Sequence, residues 1–85
     1  MTEAIQHAEA AVKSAEGKSI AQHAEEAKTH ANAAKNEKTQ ATTSGSHLDA
    51  GIRSLDEAIK EGNLGAIDSA RKAAEQAITH LKQAA

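Results

Sequence analysis

The chain has 85 residues, a net charge of −2 and no Cys, Pro, Phe, Tyr or Trp. Each half carries five basic and six acidic residues, and no aromatic ring is present for a base to stack on, so we expect no nucleic-acid partner. No apolar run approaches the roughly 20 residues that a membrane-spanning helix needs, and without Cys any bound metal must be held by nitrogen and oxygen ligands.

The first half of the chain predicts a helical hairpin. Ala, Glu, Lys and Gln are abundant there, and these residues lose little side-chain freedom when a helix forms. Thr2 can cap a first helix over about residues 2–16, which Gly17 would end in a left-handed conformation. Ser19 would then cap a second helix over about residues 19–35, whose apolar seam consists of alanines.

The second half predicts another hairpin, preceded by a linker over residues 36–45. The linker reads Asn-Glu-Lys-Thr-Gln-Ala-Thr-Thr-Ser-Gly, which has no apolar periodicity and is rich in turn-forming residues. Ser46 would cap a third helix over about residues 46–61, and Gly62 would end it. A fourth helix is expected over residues 64–84.

A seven-residue phrase recurs in all four predicted helices. It begins at His7, His23, Ser54 and Ala73. Its second and fifth places are apolar, which predicts a heptad-type stripe along one side of a helix. Residues 24–30 and 74–80 also match at an offset of 50 residues, which indicates that the two hairpins are related by duplication. We therefore predict an all-α fold with a single domain over residues 1–85: an antiparallel up-down-up-down four-helix bundle made of two related helical hairpins.

Two antiparallel hairpins would gather four of the five histidines at one end of the bundle. A turn near residue 17 brings position 30 level with about position 5, and a turn near residue 63 brings position 80 level with about position 46. Both places lie at the end that holds the termini and the linker. The histidines gathered there would be His7, His30, His47 and His80. His23 is expected to stand apart, nearer the first turn.

Helix-borne histidines and carboxylates predict a site for a divalent transition metal. Imidazole is the commonest metal ligand in proteins, and Glu3 for His7 or Glu26 for His30 lies one helical turn away. With nitrogen and oxygen donors only, the candidate ions are Cu(II), Ni(II) and Zn(II), of which Cu(II) binds tightest. His23 and His30 are roughly 10 Å apart along one helix, so we expect them to belong to separate sites. The predicted metal ligands are His7, His30, His47, His80 and His23, supported by Glu3 and Glu26.

Other functional classes fit parts of the same pattern. Histidines beside an apolar seam are often half-exposed flanking residues, and heptads also suit a structural coiled coil. The alternative function is therefore an Ala-rich helical interaction or stress-protective module that has lost most metal binding. The sequence shows no set of residues suited to catalysis. Ser54 has no His and Asp beside it that would make it a nucleophile, and the segment 62–65 is too short to form a phosphate-binding loop. We expect the protein not to be an enzyme.

Several phrases resemble the bacterial small metal-binding protein (SmbP) family. They are His-Ala-Glu-x-Ala, Leu55-Asp-Glu-Ala-Ile-Lys-Glu-Gly and Ala74-Glu-Gln-Ala-Ile-Thr-His-Leu81. The resemblance covers most of the chain and implies a periplasmic, histidine-rich four-helix bundle that buffers or scavenges copper and other divalent ions. Other residues stand where that family places histidine, which implies fewer bound ions here. These residues are Ser14, Ser54, Glu61, Ala66 and Ala73.

The expected partners are metal ions, with Cu(II) favoured over Ni(II) and Zn(II). Met1 leads straight into helical sequence, so we expect no leader in this chain, and a periplasmic location rests on the resemblance alone. We expect a monomer, with a metal-bridged dimer as the alternative. The predicted function is non-enzymatic metal binding for buffering or scavenging.

Overall fold

The computed structural model describes residues 1–37 and 42–85, with side chains described over residues 1–36 and 45–85. These residues form four α-helices and no strand. The helices are α1 (Thr2–Lys13), α2 (Gly17–Glu37), α3 (Thr42–Asn63) and α4 (Ile67–Ala84). The predicted all-α fold is confirmed.

The four helices pack as a closed ring around one core. Each helix contacts the next in the chain, and α1 also contacts α4. Two ion pairs join α2 to α3, Lys28 with Asp56 and Lys35 with Asp49. Residues later in α2 therefore face residues earlier in α3, so the two helices run in opposite directions. Short connections over residues 14–16 and 64–66 turn α1 back into α2 and α3 back into α4. Neighbouring helices are therefore antiparallel, in an elongated bundle of 36 × 17 × 16 Å.

The seven-residue phrase supplies the core. Its second and fifth places are fully buried in all four helices. They are Ala8, Ala11, Ala24, Ala27, Leu55, Ala58, Ala74 and Ala77. Because seven of these eight side chains are methyl groups, the helices approach one another closely and each contact buries little apolar area.

Apolar burial is unequal between the two hairpins. Three of the four largest fully buried side chains, Leu48, Leu55 and Leu81, lie in the second hairpin, and only Ile20 lies in the first. The buried residues of α1 are Ala4, Ala8 and Ala11. Since the free energy of burial scales with apolar area, α1 is the helix with the least hydrophobic anchorage.

A hydrogen bond from α4 holds the C-terminal end of α1, which has little hydrophobic burial. Ser14 takes the C-cap position with extended backbone, φ −73° and ψ 142°. The guanidinium Nη2 of Arg71 donates to the Ser14 carbonyl oxygen at 2.9 Å. Arg71 thus satisfies a carbonyl left free by the helix end and ties α1 to α4.

The helix ends differ from those expected. The first helix ends at Lys13 instead of residue 16, and the second begins at Gly17 instead of residue 19. Helix α2 continues to Glu37, and α3 begins at Thr42, so helix occupies most of the expected linker. The remaining expected linker residues, 38–41, lie outside the described residues.

Ser46 therefore lies inside α3 and does not cap it. Ser, Thr and Gly each cost at most about 1 kcal/mol in a helix relative to Ala, which packing of the following apolar residues can offset. At the other end, α3 runs to Asn63, two residues beyond the expected end, and α4 begins at Ile67, three residues later than expected.

Two glycines expected to end helices instead allow two helices to touch. Gly17 begins α2, and Gly62 lies within α3. A Cβ atom on Gly62 would lie 2.5 Å from the Gly17 carbonyl oxygen and 3.1 Å from the Ala21 Cβ. No side chain fits there, so glycine is required by close backbone approach. Among the described residues, the one with a left-handed backbone is Gly65, with φ 80°, in the turn between α3 and α4.

Candidate metal centre

Polar side chains meet along the rim where α1 packs against α2. His23 and Glu26 share one face of α2, because residues three apart on a helix lie on the same side. His7 stands next to the buried Ala8 on α1, and Glu26 stands next to the buried Ala27. Small buried alanines let α1 and α2 pack closely, so the longer side chains at the edge of this interface can reach one another.

Glu26 lies at the centre of this group. Its Oε1 atom is 3.4 Å from His7 Nδ1 and 3.3 Å from His23 Nδ1. Each of the three residues offers one ligand atom, and these atoms all lie within 4.8 Å of one another. The histidine side chains are 34% and 38% exposed, and Glu26 is 56% exposed, so an ion can reach the group from solvent.

The donor chemistry of this group fits a divalent transition metal. The Nδ1 atom of His23 is buried and makes no hydrogen bond, although Oε1 of Glu26 lies 3.3 Å away. A buried nitrogen without a partner is unfavourable, and a cation that accepts its lone pair would remove that penalty. Two imidazoles and one carboxylate form a donor set known for Zn(II). Imidazole also suits Cu(II) and Ni(II).

His30 and Glu3 continue the same rim toward the beginning of α1. The ring of His30 stacks on that of His7, with centroids 5.2 Å apart and planes at 5°. The Nδ1 atom of His30 lies 3.9 Å from Oε1 of Glu3. These two residues lie beside the compact group of three and do not belong to it.

The second hairpin carries a simpler histidine pair. The rings of His47 and His80 lie 6.0 Å apart with planes at 29°, and Nδ1 of His80 is buried without a hydrogen-bond partner. At the offset of 50 residues, Gln76 stands where Glu26 stands in the first hairpin, and Ala73 stands where His23 stands. This pair therefore lacks the counterparts of the carboxylate and the third imidazole.

The predicted pairing of histidines agrees with the structure. His7 lies beside His30, and His47 lies beside His80, as two antiparallel hairpins require. Among the described residues, the group of three donors compact enough for an ion contains neither His47 nor His80. Whether each histidine binds a metal stays a prediction.

The expectation that His23 stands apart is wrong. A turn centred on residue 17 places position 7 level with about position 27, midway between His23 and His30, so His7 can meet both. Side chains on a helix also lean toward its N-terminus, which directs Glu26 toward His23 rather than His30. The i,i+3 spacing of His23 and Glu26 is the sequence feature from which this group could have been predicted.

A comparison with protein-family models decides the family. The model described as small metal-binding protein matches residues 1–84, which include all four helices. The chain belongs to the small metal-binding protein family. The resemblance inferred from its sequence phrases is thereby confirmed. No curated protein and no solved structure matches the chain significantly.

For this member of the small metal-binding protein family, the family's name supports metal binding, and the geometry offers a matching donor group. His7, His23 and Glu26 are the described residues that come together as three potential ligands. Within the described residues, every helix is too short or too polar to cross a membrane.

Proposed function

We propose that the protein binds a divalent transition metal ion, without catalysing a reaction, at a primary site formed by His7, His23 and Glu26. The observation that carries this proposal is the convergence of three donor groups from two helices within 4.8 Å. Membership of the small metal-binding protein family supports it independently. Cu(II) is favoured over Ni(II) and Zn(II) because divalent affinity at nitrogen and oxygen sites peaks at copper.

The exposure of the site suits an exchangeable cargo better than a permanent structural ion. Structural zinc sites are closed by four protein ligands, whereas this group supplies three and its Glu26 side chain is 56% exposed. Solvent can therefore complete the coordination and be replaced by another ligand. This supports a role in buffering or scavenging metal ions.

The remaining histidines have secondary roles in this proposal. His47 and His80 form a weaker second site, because two neutral imidazoles lack the attraction that the Glu26 carboxylate adds. His30 and Glu3 adjoin the primary site through the ring of His7. A periplasmic location is also proposed, from the resemblance to the family, and fractionation of cells of the native host would test it.

Calorimetric titration with less than one equivalent of Cu(II) tests the primary site. We expect His7→Ala and His23→Ala each to weaken binding of the first ion at least about tenfold, since each removes one of three protein ligands. His47→Ala is the matched control, because it removes a half-buried histidine from the other hairpin, and should change the first affinity little. Equal losses in all three variants would refute the site, and absence of heat in the unmodified protein would refute the function.

A further inference from the structure

Five donor side chains form a continuous row along the rim between α1 and α2, which is more than the primary site needs. Their order is His23, Glu26, His7, His30 and Glu3. Glu26 Oε1 is 3.3 Å from His23 Nδ1 and 3.4 Å from His7 Nδ1. The His7 and His30 rings are 5.2 Å apart, and His30 Nδ1 is 3.9 Å from Glu3 Oε1.

His7 stands in the middle of this row, with one donor set on each side. His23 and Glu26 lie with His7 in the group within 4.8 Å, whereas the set of His30 and Glu3 is wider and must move inward to hold an ion together with His7. His23 and His30 are seven residues apart on α2, roughly 10 Å, so one ion cannot bind both at once. An ion that remains bound to His7 can exchange one set for the other without leaving the protein.

The most exposed donor lies at one end of the row. The three histidine side chains are 34% to 38% exposed, Glu26 is 56% exposed, and Glu3 at the end is 72% exposed. Glu3 also lies in the first turn of α1. A cation arriving from solvent, or leaving for it, therefore meets the most accessible carboxylate at the Glu3 end.

We propose that His30 and Glu3 form an entry and exit position that transfers the ion to and from the primary site through His7. This inference rests on the proposed metal binding and assigns a kinetic role to residues outside the three-donor group. Each new protein–metal bond forms as an old one breaks, so the ion keeps at least one protein ligand throughout. Neighbouring donors accelerate such steps because their effective concentration around the ion is high.

Transfer along a row changes rates without changing the final affinity. The same steps are used in both directions, so loss of His30 should slow uptake and release by the same factor. The equilibrium affinity should fall by no more than about twofold, the limit if the two positions were equally populated. An ordinary ligand behaves differently, because its loss weakens the affinity itself.

Stopped-flow spectroscopy with substoichiometric Cu(II) tests the proposal. Uptake is followed by mixing protein with Cu(II), and release by mixing the complex with excess EDTA. Release rates are compared at EDTA concentrations high enough that the rate no longer depends on EDTA. The variants are His30→Ala and Glu3→Gln, with Asn32→Ala as the matched control because Asn32 is a half-buried polar residue of α2 outside the donor row. Circular dichroism checks that each variant is folded.

We expect His30→Ala to slow uptake and release about tenfold each, with affinity unchanged within about twofold, and Glu3→Gln to do the same to a smaller extent. Asn32→Ala should leave both rates unchanged. Unaltered rates in His30→Ala would overturn the transfer path, as would a loss of affinity equal to that of His23→Ala. If the unmodified protein binds no Cu(II), the proposed function itself fails instead.

Discussion

At the residue scale, Glu26 is the side chain on which the candidate metal centre depends. Within the part of the chain that the structure describes, it alone brings a carboxylate oxygen within 3.4 Å of two imidazole nitrogens from different helices. In the second hairpin the corresponding residue is Gln76, which is uncharged. The chain thus contains its own comparison between a histidine pair with a carboxylate and one without.

Substitution Glu26→Gln should reproduce that difference within the primary site. The amide keeps the size of the side chain but removes the negative charge and a strong oxygen donor, so the affinity for Cu(II) should fall at least about tenfold, about 1.4 kcal/mol. Glu25→Gln is the matched control, since its exposed side chain lies outside the group. Calorimetric titration measures both variants, and a similar affinity in the two would contradict a role for Glu26 in binding.

At the element scale, α1 is the helix held least by hydrophobic burial. Its buried side chains are alanines, and its C-terminal end is fastened to α4 by the Arg71 guanidinium. A charged donor hydrogen-bonded to a partly buried carbonyl contributes about 1.5–3 kcal/mol, a large share for such a helix.

Replacement Arg71→Gln should loosen α1 selectively. Amide hydrogens of α1 should exchange faster by about tenfold, while those of α3 change little, because local opening of a weakly anchored helix precedes global unfolding. Arg53→Gln on the exposed face of α3 provides the control. Hydrogen exchange measured by mass spectrometry separates the helices, and equal acceleration in all four would indicate that Arg71 stabilises the bundle as a whole.

The contact between α2 and α3 depends on Gly62 in a different way. A Cβ atom there meets backbone atoms, the Gly17 oxygen at 2.5 Å and the Ala21 nitrogen at 3.0 Å, so the two helices would have to separate. At Gly51 a Cβ atom would meet the Cδ2 tip of Leu81 at 2.9 Å, which a change of side-chain conformation can relieve.

We therefore expect Gly62→Ala to destabilise the protein by about 1–3 kcal/mol, even though Ala favours helix over Gly by about 1 kcal/mol. Gly51→Ala should cost clearly less, since the same gain in helix propensity offsets a softer contact. Urea unfolding followed by circular dichroism measures both. Equal stabilities for the two variants would show that the backbone contact between Gly17 and Gly62 does not limit the packing.

At the scale of the whole molecule, the bundle could be predicted from the sequence because its signal is repeated. The second and fifth places of the phrase recur in every helix, and all of them are buried. The pairs His7 with His30 and His47 with His80 followed from the lengths of two hairpins. The helix ends and the place of His23 did not follow, because they depend on backbone contacts such as Gly17 with Gly62 and on side-chain direction.

The primary site joins α1 to α2, so metal binding should stabilise the entire bundle. An ion that binds only the folded state at about 100 times its dissociation constant contributes about 2.7 kcal/mol. For a domain of this size, that should raise the melting temperature by about 10 °C or more. Differential scanning calorimetry with Cu(II) should show this rise in the unmodified protein and in His80→Ala, but much less of it in His7→Ala.

The same melting curves distinguish a metal-binding monomer from a helical interaction module. A monomer that binds an ion melts at a temperature that depends on free metal and not on protein concentration, whereas an associating module loses stability on dilution. We expect the melting temperature to stay constant when the protein is diluted about 100-fold, both without metal and at fixed free Cu(II). If dilution lowered it only when Cu(II) is present, the ion would bridge two chains, and the exposed Glu3 end of the donor row would be the first place to look for the bridging ligands.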